Sequence, residues 1–481
     1  MNVLIRADAS AAIGSGHVVR CWSLARALRA QGDQVRFCGR FPAGPWREAL
    51  AREFPLLSLP SDAATNIDAR KGMWLPVTEA EDAASTLHVL HEQGHWRPDW
   101  LVVDHYGLSA AWHQHLRVAI PSLRIAVIDD LADRSHAPDL MVDHNTFGVA
   151  TATRYDLLLP ANQETSRCLG PQFALIDPFY SSCQRALPPR QRLRRLLVSL
   201  GGAGDALLLE QILQAMAAMP LDSLQVQVVL GGFAQESIAI QSLCSQLQAE
   251  RIQALPSLAP LMAAADASIG AGGTTTWERL CLGLPSITYA LADNQEGYSQ
   301  LLGDQGLIQY LGRADQFQPH ALQAALQSWL DCPEILAKQS REGADLVDGA
   351  GCERIARLMA AAVDPDHFPQ PLHSDAGLPC WSWPDGLVLQ SSSPDPVLKD
   401  DRLRCAAGPL RVVDRLQALR RSSTGSDEYL RRPLPDNVDS SLRVTVLSSQ
   451  GSWMNQFIPE LLEQALLLGC SLRWIHHHDQ L

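Results

Sequence analysis

Short apolar runs recur along the first part of the chain, each followed by a segment of helical spacing. Val3-Leu4-Ile5, Val35-Arg36-Phe37-Cys38, Trp100-Leu101-Val102-Val103 and Ile125-Ala126-Val127-Ile128 read as strands. Between the first two, Val18, Cys21, Trp22, Ala25 and Leu28 fall on one face of a helix over 18–29. Strands of this kind alternating with helices predict a parallel sheet covered on both faces. The same alternation restarts near Leu196. Leu196-Leu197-Val198-Ser199-Leu200 runs into Gly201-Gly202, and Val226 to Leu230 ends in Gly231-Gly232. Ala267-Ser268-Ile269 leads to Gly270-Ala271-Gly272-Gly273-Thr274, followed by a helix carrying Trp277, Glu278, Leu280, Cys281 and Leu282. Gly283-Leu284-Pro285 stops that helix, and Ser286-Ile287-Thr288-Tyr289 starts another strand.

Two Rossmann-like α/β units in tandem follow, over 1–170 and 171–363, with the helix through Ile355 and Leu358 closing the second. From Asp364 prolines and serines displace the periodic apolar runs, so 364–440 reads as a linker or as a stretch whose structure the sequence does not determine. Residues 441–481 read as a partial βαβ unit: strands at Leu442–Leu447 and Ser471–Ile475 around an apolar helix at Phe457–Leu468. His476-His477-His478 reads as a polar strand exit, since three adjacent histidines cannot all face one ion from an extended strand.

Composition narrows the class. Of 481 residues, 46% are hydrophobic, which is material for real cores, and the net charge of −13 argues against a nucleic-acid partner. No apolar stretch is long enough to span a membrane, and the start is a strand rather than a signal peptide. The eleven cysteines are scattered, with no metal spacing, in the manner of buried cytoplasmic thiols.

Chemistry concentrates at strand ends, where parallel sheets bind ligands. Gly14-Ser15-Gly16-His17 places a glycine turn and a histidine at a helix start, where backbone N–H groups favour phosphate and an imidazole can move a proton. Arg6 and Arg20 lie near that loop. Asp104-His105-Tyr106-Gly107 occupies another strand end, although a helix cap is the plainer reading of Asp104. In the second unit, Gly272-Gly273-Thr274 offers donors to a diphosphate. Glu278 lies one helical turn after Thr274, on the same face.

Taken together, these motifs resemble those of the UDP-2,4-diacetamido-2,4,6-trideoxy-β-L-altropyranose hydrolases of pseudaminic acid synthesis. The resemblance runs over about residues 1 to 350. It rests on Arg6-Ala7-Asp8 through His17, Asp104-His105-Tyr106-Gly107, Asp129-Asp130, Gly270 through Arg279, and Asn294-Gln295-Glu296. It implies the two-domain glycosyltransferase-B fold shared with MurG-type glycosyltransferases, and an inverting, metal-independent hydrolysis with no cofactor. His17 is then the general base, with Asp8, Asp104, His105 and Tyr106 around it. Gly14, Gly16, Arg20, Gly201, Gly202, Gly272, Gly273, Thr274, Glu278, Asn294 and Gln295 hold the UDP-sugar. The end of the chain resembles the start of formyltransferase-like domains, without their catalytic portion. Two other readings stay open: a MurG-like transferase using an acceptor hydroxyl, and a non-catalytic nucleotide-sugar-binding module.

Overall fold

A computed structural model describes residues 1–363, apart from 11–12, 44, 61–73, 162, 164, 185–186, 202–203, 222, 232–236, 254 and 256, together with the backbone of five strands beyond. The first sheet holds seven parallel strands: β1 (Asn2–Ala7), β2 (Gln34–Gly39), β3 (Leu56–Ser58), β4 (Trp100–Asp104), β5 (Arg124–Ile128), β6 (Leu140–Asp143) and β7 (Ser166–Leu169). Their order is β3-β2-β1-β4-β5-β6-β7, so β1 and β4 are central neighbours. The central strands are apolar almost throughout because helices cover both faces; Val3, Leu4 and Ile5 are wholly buried. The reversal of strand order between β1 and β4 opens a crevice at their carboxyl ends, and the Gly16–Ala30 helix begins there.

The second sheet has six parallel strands, β8 (Arg195–Ser199), β9 (Gln225–Val229), β10 (Glu250–Ile252), β11 (Ala267–Ala271), β12 (Ser286–Ala290) and β13 (Gln309–Arg313), in the order β10-β9-β8-β11-β12-β13. The chain therefore has two parallel-sheet Rossmann-like units. Strands expected from apolar runs are all present. Short or polar ones, such as β3, β10 and β13, carried no such run and were not anticipated.

Two expectations need correction. The Gly351–Val363 helix does not close the second unit. Cys352, Ile355, Ala356, Leu358 and Met359 enter the core beneath the first sheet, and Trp100 Nε1 donates to the Met359 carbonyl at 3.0 Å. Its apolar spacing predicts a buried face, but spacing does not say which sheet supplies the partner. The chain thus crosses between the units twice, and the crossings touch: a Cβ on Gly351 would lie 2.4 Å from the Ala174 carbonyl oxygen. Secondly, part of the 364–440 stretch is strand. β14 (Gln370–His373), β15 (Pro379–Ser382) and β16 (Val388–Ser391) pair antiparallel and join β17 (Arg443–Ser448), which pairs parallel with β18 (Ser471–His476). The last two are the strands expected of the βαβ unit. The helix expected at Phe457–Leu468 lies outside the described residues.

Candidate functional site

The glycine turn is formed as expected. Gly14 takes a positive φ of 81° and exchanges backbone hydrogen bonds with Ser10, and His17 follows in the first turn of its helix. Three strand ends then bring one group together. His17 Nδ1 lies 2.5 Å from Asp104 Oδ1 at the end of β4. Arg20, one turn further along the helix, grips the same carboxylate with Nε and Nη2, both at 2.6 Å. Its Nη1 donates to Asp130 Oδ2 at 2.9 Å, just past β5. Tyr106 donates its hydroxyl hydrogen to Asp130 Oδ1 at 2.5 Å. The Tyr106 ring meets His17 edge-on, with centroids 4.4 Å apart.

Electrostatics define the protonation of this group. Burial alone would raise the Asp104 pKa, but Arg20 and His17 hold it well below the usual carboxylate range. An ionised carboxylate only accepts, so His17 donates from Nδ1, and Nε2 is the ring nitrogen that can serve as an acceptor in the neutral tautomer. Asp130 is likewise held low against its burial by Arg20 and Tyr106. Arg20 is only 3% exposed, and its Nε, Nη1 and Nη2 each bond one of these two carboxylates, with Nη2 also 3.3 Å from His17 Nδ1. Arg20, expected as a substrate-binding cation, is found here fixing Asp104 and Asp130.

Asp8 and His105 belong to an adjoining buried network. Arg6, wholly buried on β1, is paired with Asp8 and with Asp82 at 2.8 Å, and Arg40 joins both carboxylates. Gly107 N donates to His105 Nδ1 at 3.0 Å, so the ring hydrogen sits on Nε2 and donates to Asp8 Oδ2 at 3.2 Å. Burial lowers the His105 pKa despite Asp8, which keeps the ring neutral. Among the described residues no hydrogen bond joins this pair to His17.

The second unit faces the first across the crevice. Asn294 Nδ2 lies 3.4 Å from Tyr106 Oη, so the Asn294 loop after β12 reaches the His17 group. Beside it, the Tyr298 hydroxyl donates to the Gly272 carbonyl. A Cβ on Gly272 would come within 2.8 Å of Ser299 Oγ, so this position has no room for a side chain. Gly273 is more open, since a Cβ there would lie 3.7 Å from Gln295 Nε2, while Gln295 Oε1 accepts from Leu291 N at 2.9 Å. Thr274 precedes the Thr275–Cys281 helix without a side-chain capping bond. Glu278 is buried, and burial pushes its carboxyl pKa up to about 7, with Tyr180 and Arg279 acting the other way. Gly16 opens the first helix with free space around it, and Gly201 ends β8 at a positive φ of 84°. Gly202 lies outside the described residues.

Sequence reasoning missed a fourth strand end. Asp143 ends β6, His144 and Asn145 follow it, and all three are buried. The Asp143 carboxyl accepts from Tyr155 at 3.0 Å, and burial together with Asp130 raises its pKa to about 7. The His144 ring meets Trp277 of the second unit edge-on at 6.0 Å. The signal was an apolar strand ending in Asp-His-Asn, the same pattern that marked Asp104-His105. Among the described residues no group of three or more His, Cys, Asp or Glu is placed to hold a metal ion, and no helix is long and apolar enough to cross a membrane.

Two Rossmann-like units with buried polar groups gathered at their strand ends define the glycosyltransferase-B type of fold. Among solved structures, MurG of Acinetobacter baumannii aligns at a TM-score of 0.50 and 15% identity, over 75% of this chain and 99% of that one. The S. aureus MnaA–UDP co-structure aligns at 0.49 and 10% identity, over 75% of this chain and 96% of that one. Residues 195–350 match the glycosyltransferase family 28 C-terminal domain. The spore coat polysaccharide biosynthesis protein SpsG of Bacillus subtilis (strain 168) is 24% identical over 192 residues, or 40% of this chain. The match spans 57% of that curated relative's length.

Proposed function

We propose that the chain is a nucleotide-sugar hydrolase that releases UDP from a UDP-2,4-diacetamido-2,4,6-trideoxy sugar, by inverting attack of water on the anomeric carbon, in pseudaminic acid biosynthesis. The observation that carries the reading is the Asp104–His17 pair at the mouth of the crevice, with Nδ1 committed to a carboxylate and Nε2 left as the base. Water forms its bond to the anomeric carbon as His17 Nε2 takes one of its protons. The bond from that carbon to the diphosphate oxygen breaks, and the electron pair leaves with UDP. A positioned base contributes about 10²–10⁴-fold. UDP is a good leaving group, so the scheme needs no carboxylic acid partner of the glycosidase kind.

Asp104 and Arg20 hold the base in this scheme. Asp8 and His105 shape the floor beneath it. Gly14 and Gly16 keep the turn open. Gly201, Gly272, Gly273 and Thr274 line the path of the diphosphate, Glu278 reads the ribose, and Asn294 and Gln295 reach the sugar side.

The match of residues 195–350 to the family 28 glycosyltransferase domain favours a second reading, transfer of the sugar to an acceptor hydroxyl. The two differ in the nucleophile. Purified protein is incubated with UDP-diacetamido-trideoxy sugars in the absence of any acceptor, and UDP is followed. Sustained release supports hydrolysis; release only on adding an acceptor supports transfer.

A further inference from the structure

Asp130 touches three donors. Oδ1 accepts from the Tyr106 hydroxyl at 2.5 Å, Oδ2 from Arg20 Nη1 at 2.9 Å, and its backbone carbonyl from Arg154 Nη2 at 2.9 Å. It is 8% exposed. A tyrosine has one hydroxyl hydrogen, and a carboxylate can only accept. The direction of the Tyr106–Asp130 bond is therefore fixed, and the Tyr106 oxygen is left with lone pairs alone. Asn294 Nδ2 at 3.4 Å has the complementary polarity. The ring is held between His17, at 4.4 Å, and Trp74, at 4.8 Å between centroids.

His17 reaches the same state by the same device. Asp104 consumes its Nδ1 hydrogen, and Arg20 ties Asp104 to Asp130. Two neighbouring rings thus each turn a hydrogen back into the protein, and the phenol oxygen and the neutral tautomer of the imidazole each present an acceptor. A water molecule has two hydrogens to give. We propose that Asp130 is a positioning residue that makes Tyr106 a pure acceptor, so that Tyr106 Oη and His17 Nε2 together hold the two hydrogens of the attacking water. This rests on the hydrolytic reading above. The water oxygen bonds the anomeric carbon and gives one proton to His17. Its other hydrogen stays on the new sugar hydroxyl, bonded to Tyr106, while the carbon–oxygen bond to UDP breaks. Tyr106 cannot protonate the leaving group in this arrangement, because its hydrogen is already engaged.

The test uses the full chain and the variants Asp130→Asn, Asp130→Glu, Tyr106→Phe and Asp130→Asn/Tyr106→Phe, with UDP release for kcat and KM and near-ultraviolet absorption for the tyrosine. A hydroxyl that donates to a carboxylate absorbs further to the red than one donating to an amide. Asp130→Asn is expected to lower kcat by about tenfold or more, with KM little changed. Asp130→Glu, which keeps a carboxylate, recovers part of that loss. The double variant is no slower than the slower single one, because Asp130 acts through Tyr106. Asp130→Asn also shifts the tyrosine absorption to the blue, and the shift vanishes in the Tyr106→Phe background. Wild-type kcat in Asp130→Asn, additive losses in the double variant, or no Tyr106-dependent spectral shift each overturn the proposal. If the wild-type chain releases no UDP yet the spectral shift is present, the water is refuted and the polarity of Tyr106 is upheld. Should Asp130→Asn not fold, Asp130→Glu and Tyr106→Phe read the same couplings from the two ends.

Discussion

At the scale of single residues, the chemistry turns on where hydrogens are spent. His17 and Arg20 are three residues apart on one helix, so both reach Asp104 from the same side. Paired with Arg20, Asp104 stays ionised and orients the imidazole without competing for its proton. His17→Ala is expected to lower turnover by about 10²–10⁴-fold. It should leave UDP affinity nearly unchanged, because the proposed nucleotide contacts lie on the other unit. Steady-state UDP release and calorimetric titration of UDP separate the two effects. Near wild-type turnover removes His17 from the mechanism.

Glu278 supplies a second test at this scale. Burial pushes its pKa up to about 7, against an ordinary value of 4.5. The folded state therefore holds this proton more tightly than the unfolded chain. The associated stability is full below pH about 4.5 and is lost as pH rises through about 7. Glu278→Gln carries no such proton, so its stability should fall less between pH 5 and 8 than that of the wild type, with a difference of order 1–3 kcal/mol. Urea unfolding of both proteins at the two pH values measures it. Parallel changes in the two proteins contradict the assignment. The same variant should bind UDP more weakly, because hydrogen bonds to a charged acceptor typically contribute about 1.5–3 kcal/mol.

At the scale of elements, strand ends were the most legible part of the sequence. A glycine or an acid directly after an apolar run marked β1, β4, β8 and β11, and the structure gathers Asp104, Tyr106 and His17 from two of those ends. Partnership was not legible. Arg20 looked like a cation awaiting a phosphate because sequence shows its charge but not the two carboxylates that arrive from β4 and β5. Asp8 and His105 looked catalytic because they sit at strand ends beside His17 and Asp104, yet they bond each other within the Arg6 network. The Asp143-His144-Asn145 end was overlooked because β6 is only four residues long. For the Gly351–Val363 helix, amphipathic spacing was readable but not the sheet it covers.

At the scale of the whole molecule, that helix sets where the chain can be cut. A chain ending at residue 363 keeps Ile355, Leu358 and Met359 under the first sheet and is expected to fold and release UDP. One ending at residue 349 strips these side chains from the core and breaks the Trp100–Met359 bond. Each lost large side chain costs about 2–5 kcal/mol, which exceeds what a domain can spare once several go together. Thermal unfolding and UDP release of the two shortened chains decide the matter. A stable 349-residue form would show that the first unit does not need the returning helix.

The two crossings between the units also place Asn294 against Tyr106, and so bring the proposed nucleotide side to the proposed base. The central claim is that water is the nucleophile at the anomeric carbon. It is tested most directly by turning over a UDP-diacetamido-trideoxy sugar in ¹⁸O-labelled water, without acceptor, and weighing both products. The account predicts one ¹⁸O in the released sugar, none in UDP, inversion at the anomeric centre, and loss of the reaction in His17→Ala. Label in UDP, or no UDP release until an acceptor alcohol is added, would contradict it.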